Sequence, residues 1–265
     1  MDDFSKLGYL APNLQERLDL ANGKHKALFL LLPKLNQCAW AIQAELQVDN
    51  ENPREILAAA LYARIVNLYQ IGVMLARLGM KEELKVILRC ILEPVFPLVA
   101  IEVDPDFTIE LIRSEEYQRR DKFKKLRNLE KRHQARQGQI DMFESLIEES
   151  TRKITATGAR DFRVRCIAEK AGMLDQYETI YALMSGTLHA SIRSLEELMD
   201  IDDQRTRIDS LKNIPSSDEF ERLLPALMES MIYGAIAVSR IFQFDLPSCV
   251  EEIREELNQH HAQIA

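Results

Sequence analysis

A chain of 265 residues with 46% hydrophobic positions can fill one large core or two modest ones, and nine Gly with nine Pro are too few for a turn-rich β-sandwich. A formal net charge of −8 argues against a protein that coats nucleic acid with its whole surface. Leu, Ala, Glu, Arg and Lys dominate the long stretches, so the fold class expected is all-α: a multi-helix up-and-down bundle with a long charged helical arm or insert.

In chain order, periodicity predicts helices over 12–22, 24–47, 53–79, 81–103, 106–137, 139–156, 160–171, 174–200, 217–244 and 248–262, with no competing strand pattern. The opening "MDDFSKLGYL" carries acid where a secretory signal carries its basic region, and the apolar "ALFLLLP" begins late, between Lys26 and Lys34. A cytoplasmic protein is therefore expected. Asn52-Pro53-Arg54-Glu55 offers an N-cap, a proline at the first helical position and a Glu three residues past the cap. Ser216 with Glu219, and Ser248 with Glu251, repeat the capping-box spacing.

Helices 53–79 and 81–103 read as a hairpin turned at "RLGMKEE", apolar almost all round and so central. Within it "ILAAALYARIVNLYQIGVMLARLG" is broken by Arg64, Asn67 and Gln70, short of the roughly 20 apolar residues that span a bilayer, and no membrane segment is expected. The stretch "DDQRTRIDSLKNIPSSDEF" reads as a loop. Three regions follow: N-terminal helices and core hairpin over 1–105, a charged helical arm over 106–156, and helices completing the same bundle over 157–265. Cys38, Cys90, Cys166 and Cys249 are scattered with no CxxC pair, so all four are expected as free buried thiols.

Charge is concentrated in the arm. From Arg113 to Arg136 ten basic residues face four acidic ones, a local +6. Arg119, Arg120, Lys124, Lys125, Arg127, Lys131 and Arg132 are the candidates for binding RNA or a nucleotide, with an affinity that falls steeply with salt. The competing reading is a solvated face that meets a protein partner or a second copy of the chain in a homodimer.

"YALMSGTLHASIRS" places Tyr181, Ser185, His189 and Arg193 four residues apart. With Tyr181 at 0° on a regular helix, Ser185 falls at about 40°, His189 at about 80° and Arg193 at about 120°, between an apolar face and a small-residue face of Ala182, Gly186, Ala190 and Ser194. In "KVILRCILEPVFPLV", Arg89 and Glu93 are four apart among apolar neighbours. Burying either alone costs several kcal/mol, so a mutual pair is expected. Pro94 and Pro97 free carbonyls beside that pair and are expected to bend the helix. Either both features are satisfied core networks that fix helix register, or the six residues converge on one pocket. In a pocket, His189 would exchange protons near neutral pH and an Arg would hold a phosphate or carboxylate. No HExxH or carboxylate cluster accompanies Glu93 and His189, so no metal or other cofactor is expected.

"LYQIGVMLARLGMKEELKVILRCILEP" and, after a charged insert, "YETIYALMSGTLHASIRSLEE" resemble the bacterial family catalogued as domain of unknown function 5677. Its Arg-xxx-Glu helix matches Arg89 and Glu93, and its Tyr-xxx-Ser-xxx-His helix matches Tyr181, Ser185 and His189. The resemblance implies a helical fold and no particular reaction. A looser similarity is to the HEPN superfamily of helical bundles, often metal-independent ribonucleases of toxin and phage-defence systems. "RNLEKRH" (Arg127, Asn128, His133) fits that signature, although a continuous helix sets Arg127 and His133 about 120° apart. Two functions follow as expectations: a ribonuclease or defence effector with His189 as acid/base and Arg89 or Arg193 stabilising charge, or a non-catalytic binding module with a buried polar network.

Overall fold

The computed structural model describes residues 6–11, 23–133, 137–188, 195–196, 198–202, 207–211 and 215–264. The helix expected over 12–22 lies outside them. Helix α1 (Lys26–Glu45) is followed by α2 (Pro53–Arg77) and α3 (Lys81–Val103), then by α4 (Phe107–Arg132) and α5 (Gln137–Thr157), and by the short α6 (Val164–Lys170). Helix α7 begins as Leu174–Gln176, widens into a π-helical turn at Tyr177–Tyr181, and continues as Ala182–Leu188. Strands β1 (Met199–Ile201) and β2 (Ile208–Leu211) precede α8 (Phe220–Phe242) and α9 (Ser248–Ile264). The all-α bundle is thus as the composition implies, with one small exception in the strands.

The core lies among α1, α2, α3 and α8, where Leu32, Leu35, Ile65, Leu88, Phe96, Leu224 and Met231 are fully or almost fully buried. Asn52 caps α2 through its Oδ1, which accepts from the Arg54 amide at 3.1 Å, while its Nδ2 donates to Glu55 at 2.8 Å. Two phenols tie α2 to α1: Tyr62 donates to the Ala39 carbonyl at 3.2 Å and Tyr69 to that of Leu32 at 2.9 Å. Burial pushes both phenols far above their ordinary pKa. Helix α2 ends at Gly79, whose φ of 66° only glycine adopts freely, and a Cβ there would stand 2.7 Å from that of Pro215. Helix α3 runs unbroken over the expected 81–103, with Pro94 and Pro97 inside it and buried.

The arm is an antiparallel pair. Phe123 meets Phe143 at 6.4 Å between ring centres, Lys131 pairs with Glu144 at 2.8 Å, and Tyr117 donates to the Ala159 carbonyl at 3.2 Å. Phe107 anchors its base, fully buried and edge-on to Phe162 at 5.0 Å.

Three expectations need correction. First, β1 and β2 form an antiparallel hairpin, pairing Met199 with Leu211 and Asp200 with Ser210, where a helix end and a loop were expected. A strand of four exposed residues is too short to show as alternation. Second, Ser216 and Glu219 do not form a capping box: α8 begins at Phe220, Glu219 is left-handed at φ 67°, and its carboxylate turns to Lys81 and Lys85. Third, Cys38 and Cys249 are joined in a disulfide, leaving Cys90 half-buried and Cys166 exposed. The packing of α9 on α1 brings together thiols 211 positions apart. By length and composition alone two helices are apolar enough to cross a membrane, α2 with mean hydropathy 1.4 and 39% of its most apolar stretch buried and α8 with 1.2 and 72%, a property that core helices share. The apolar surface of α8 is spent mostly on the core.

Candidate functional site

The residues quoted from α3 and α7 come together. Arg89 and Glu93 share one face of α3 by their four-residue spacing, and Tyr181 and Ser185 share one face of α7 by the same rule. The Arg89 guanidinium donates through Nε to Ser185 Oγ at 3.2 Å, through Nη1 to Glu93 Oε1 at 2.9 Å, and through Nη2 to the Tyr181 hydroxyl at 2.8 Å. Tyr181 in turn donates to Glu93 Oε1 at 3.2 Å, and Ser185 donates to the Tyr181 carbonyl at 2.7 Å.

Aromatic packing holds the group in place. The Tyr181 ring stacks on Tyr177 at 5.1 Å, tilts against Phe96 at 6.0 Å, and has the Arg89 guanidinium 4.5 Å from its centre. Burial raises the Tyr181 phenol above its usual pKa, and the nearby Glu93 carboxylate adds to the rise against the opposing charge of Arg89. Tyr181 is therefore a neutral donor at physiological pH.

Glu93 departs from expectation. Its side chain is 46% exposed, against 15% for Arg89, so the ion pair stands at the solvent boundary and not in the interior. Ser185 fits poorly as a nucleophile. Its proton is committed to a backbone carbonyl, and its other polar contact is a guanidinium, which cannot act as a base. His189 and Arg193, the other two members of the ladder, lie outside the described residues. At the start of the small-residue face Ala182 is exposed and Gly186 is half-buried, while Ala190 and Ser194 lie outside the described residues. The π-helical turn just before Ala182 resets the helical phase, and nothing in "YETIY" signals such a turn.

On the arm, the basic helix α4 lies along α5, and Arg119, Arg120 and Lys124 pair with carboxylates of α4 itself, with Glu144 of α5 reaching Lys131. Arg119 is 3.6 Å from Glu116, Arg120 3.6 Å from Asp121, Lys124 3.4 Å from Asp121, and Lys131 2.8 Å from Glu144. Arg127 donates to Asn128 Oδ1 at 3.1 Å and 3.4 Å, while His133 caps the far end of the helix. The helix is continuous between Arg127 and His133 and keeps them on different faces. Lys125 and Arg132 are exposed, and among the described residues neither has an ion pair. A broad depression of about 780 Å3 beside α4 is lined by Arg119, Lys122 and Lys125 but also by Glu115, Glu116, Asp121 and Asp161. Its charge is mixed, which does not suit a phosphate backbone.

One cluster carries no distinctive spacing in the sequence. Lys85, 8% exposed, donates to Glu219 at 2.9 Å and to Glu82 at 3.1 Å, and Lys81 donates to Glu219 at 3.2 Å. Burial opposes the charge on Glu219, but the hydrogen bonds from Lys85 and Lys81 outweigh it and hold the carboxyl below its usual pKa. The i,i+3 spacing of Glu82 and Lys85 was visible in the sequence; Glu219, 134 residues away, had no signal. Among the described residues no group of three or more His, Cys, Asp or Glu side chains could hold a metal ion.

No curated protein and no solved structure matches this chain. A family model does, and it covers both helices of the polar network. The family of unknown function DUF5677 matches residues 55–206, more than half the chain, and the chain belongs to that family.

Proposed function

We propose that this protein is a non-catalytic helical interaction module. On this reading the Arg89–Glu93–Tyr181–Ser185 network locks α7 onto α3, and the α4–α5 arm engages a protein partner. The observation that carries it is the engagement of Arg89, whose Nε, Nη1 and Nη2 all donate to side chains of the same fold. An arginine that binds phosphate leaves those donors to its ligand. Here, withdrawing them would unseat α7. The arm's surface, where the exposed Lys125 stands among Glu115, Glu116, Asp121 and Asp161, suits a protein surface of mixed, complementary charge better than a uniformly anionic phosphate chain.

The test is direct. Labelled single-stranded RNA is incubated with the full chain in EDTA at low salt, in parallel with the Arg89→Lys and His189→Ala variants. Neither cleavage nor salt-sensitive retention of RNA is expected. Cleavage by the wild type that either variant abolishes overturns the proposal.

One observation favours a second reading, a HEPN-like metal-independent ribonuclease or toxin or phage-defence effector acting on RNA or a nucleotide. Glu93 binds Arg89 and Tyr181 while 46% exposed, so the network reaches solvent, and His189 follows Ser185 by four residues. His189 would then be the acid/base, with Arg89 or Arg193 stabilising the charge on phosphorus.

A further inference from the structure

The C-terminal helix is attached to the bundle in two chemically different ways. Along one face of α9, Val250, Ile253 and Leu257 are buried, and toward its far end His261 Nε2 stands 2.7 Å from Glu229 Oε1 of α8. At its first turn Cys249 is bonded to Cys38 of α1, with their Cα atoms 6.4 Å apart. That bond is not sealed in the core. Cys38 and Cys249 line a surface groove of about 330 Å3 whose walls also carry Lys34, Glu252 and Glu256. Cys38 is 4% exposed and Cys249 is half-buried, so the sulfur on α9 is the easier one to reach.

We propose that Cys38–Cys249 is a reversible redox clasp, opened through this groove by a dithiol reductant, and that opening it loosens α9 from α1. One thiolate of the reductant attacks Cys249 Sγ, forming a mixed disulfide and expelling Cys38 as a thiolate. The second thiol of the reductant attacks its own sulfur in the mixed disulfide, so that Cys249 leaves as a thiolate and the reductant departs as a disulfide. Two electrons pass to the protein, and the two protons lost by the dithiol go to Cys38 and Cys249. Lys34, one turn before Cys38, favours the expelled thiolate. Glu252 and Glu256 disfavour an anionic visitor such as glutathione, so a neutral dithiol is the better reductant.

With the clasp open, α9 is held among the described residues by the apolar stripe and the His261–Glu229 contact. Its main packing is on α1 and α8, so loosening stays local.

The experiment is hydrogen exchange read by mass spectrometry on the full chain, oxidised and after dithiothreitol. The oxidised protein should yield a peptide pair linked through Cys38 and Cys249. Under native conditions dithiothreitol should remove that link and speed exchange across 250–262 on the order of tenfold, while α2 and α3 hold their rates. Cys249→Ser should show the faster rate without reductant and no further response to it. Absence of the linked pair under oxidising conditions, reduction only after denaturation, or equal exchange in α9 before and after reduction would each overturn the proposal. Should Cys249→Ser fail to fold, the wild-type comparison decides alone.

Discussion

Arg89 shows how much one side chain can hold. Its guanidinium reaches three acceptors on two helices and lies over an aromatic ring, at 15% exposure. Removing it as Arg89→Ala leaves Tyr181, Ser185 and Glu93 without their shared donor. Because Glu93 can turn to water, the expected cost is about 2–3 kcal/mol, below that of breaking a fully buried pair. Tyr181→Phe keeps the ring and loses two hydrogen bonds, costing about 1 kcal/mol. Urea midpoints of the two variants and the double mutant check this, with a coupling of about 0.5 kcal/mol or more expected between them. Full additivity would mean that the four side chains do not act as one network.

At the scale of elements, joints matter more than helix interiors. Gly79 ends α2 with φ 66°, its carbonyl accepts the Ser216 amide at 2.9 Å, and a Cβ would meet Pro215 at 2.7 Å. Gly79→Ala combines left-handed strain with a clash against another loop, so a loss of about 2–3 kcal/mol is expected. Thermal unfolding beside Gly138→Ala, at a glycine with open space around it, separates this from a general glycine effect. The same joint explains Glu219. Its left-handed backbone replaces the expected cap, and its carboxylate bridges to the first turn of α3.

For the whole molecule, pH acts where α1, α8 and α9 meet. His25 is 7% exposed, its Nε2 has no hydrogen-bond partner, and its ring lies 6.0 Å from that of Phe220. Burial lowers its pKa against the pull of Glu221 and a hydrogen bond to the Ser217 backbone, while Lys24 and His260 push the same way as burial. A histidine with a lowered folded pKa binds its proton more readily when unfolded. Stability is therefore full above the unfolded value of about 6.5 and falls as pH drops through it. Urea midpoints at pH 7.5 and 5.5 should differ, and His25→Gln should narrow the difference. An unchanged difference would show that other groups carry the pH dependence.

The sequence by itself determined the helical class, the α2 cap at Asn52, the extent of α3 at 81–103 and the pairing of Arg89 with Glu93. Each is set by neighbours within about one helical turn, where spacing alone decides who meets whom. It could not determine that Tyr181 and Ser185 would complete that pair, that Cys38 would bond Cys249, or that Glu219 would serve Lys85. Those partners lie between 88 and 211 positions apart, and only the packing of α3, α7, α8 and α9 sets their distance. The arm divides the same way. Its basic run and the local pairs of Arg119 with Glu116 and Lys124 with Asp121 follow from spacing within α4, but the pairing of Lys131 with Glu144, and of Lys153 with Glu116, was decided by α5 lying back along α4.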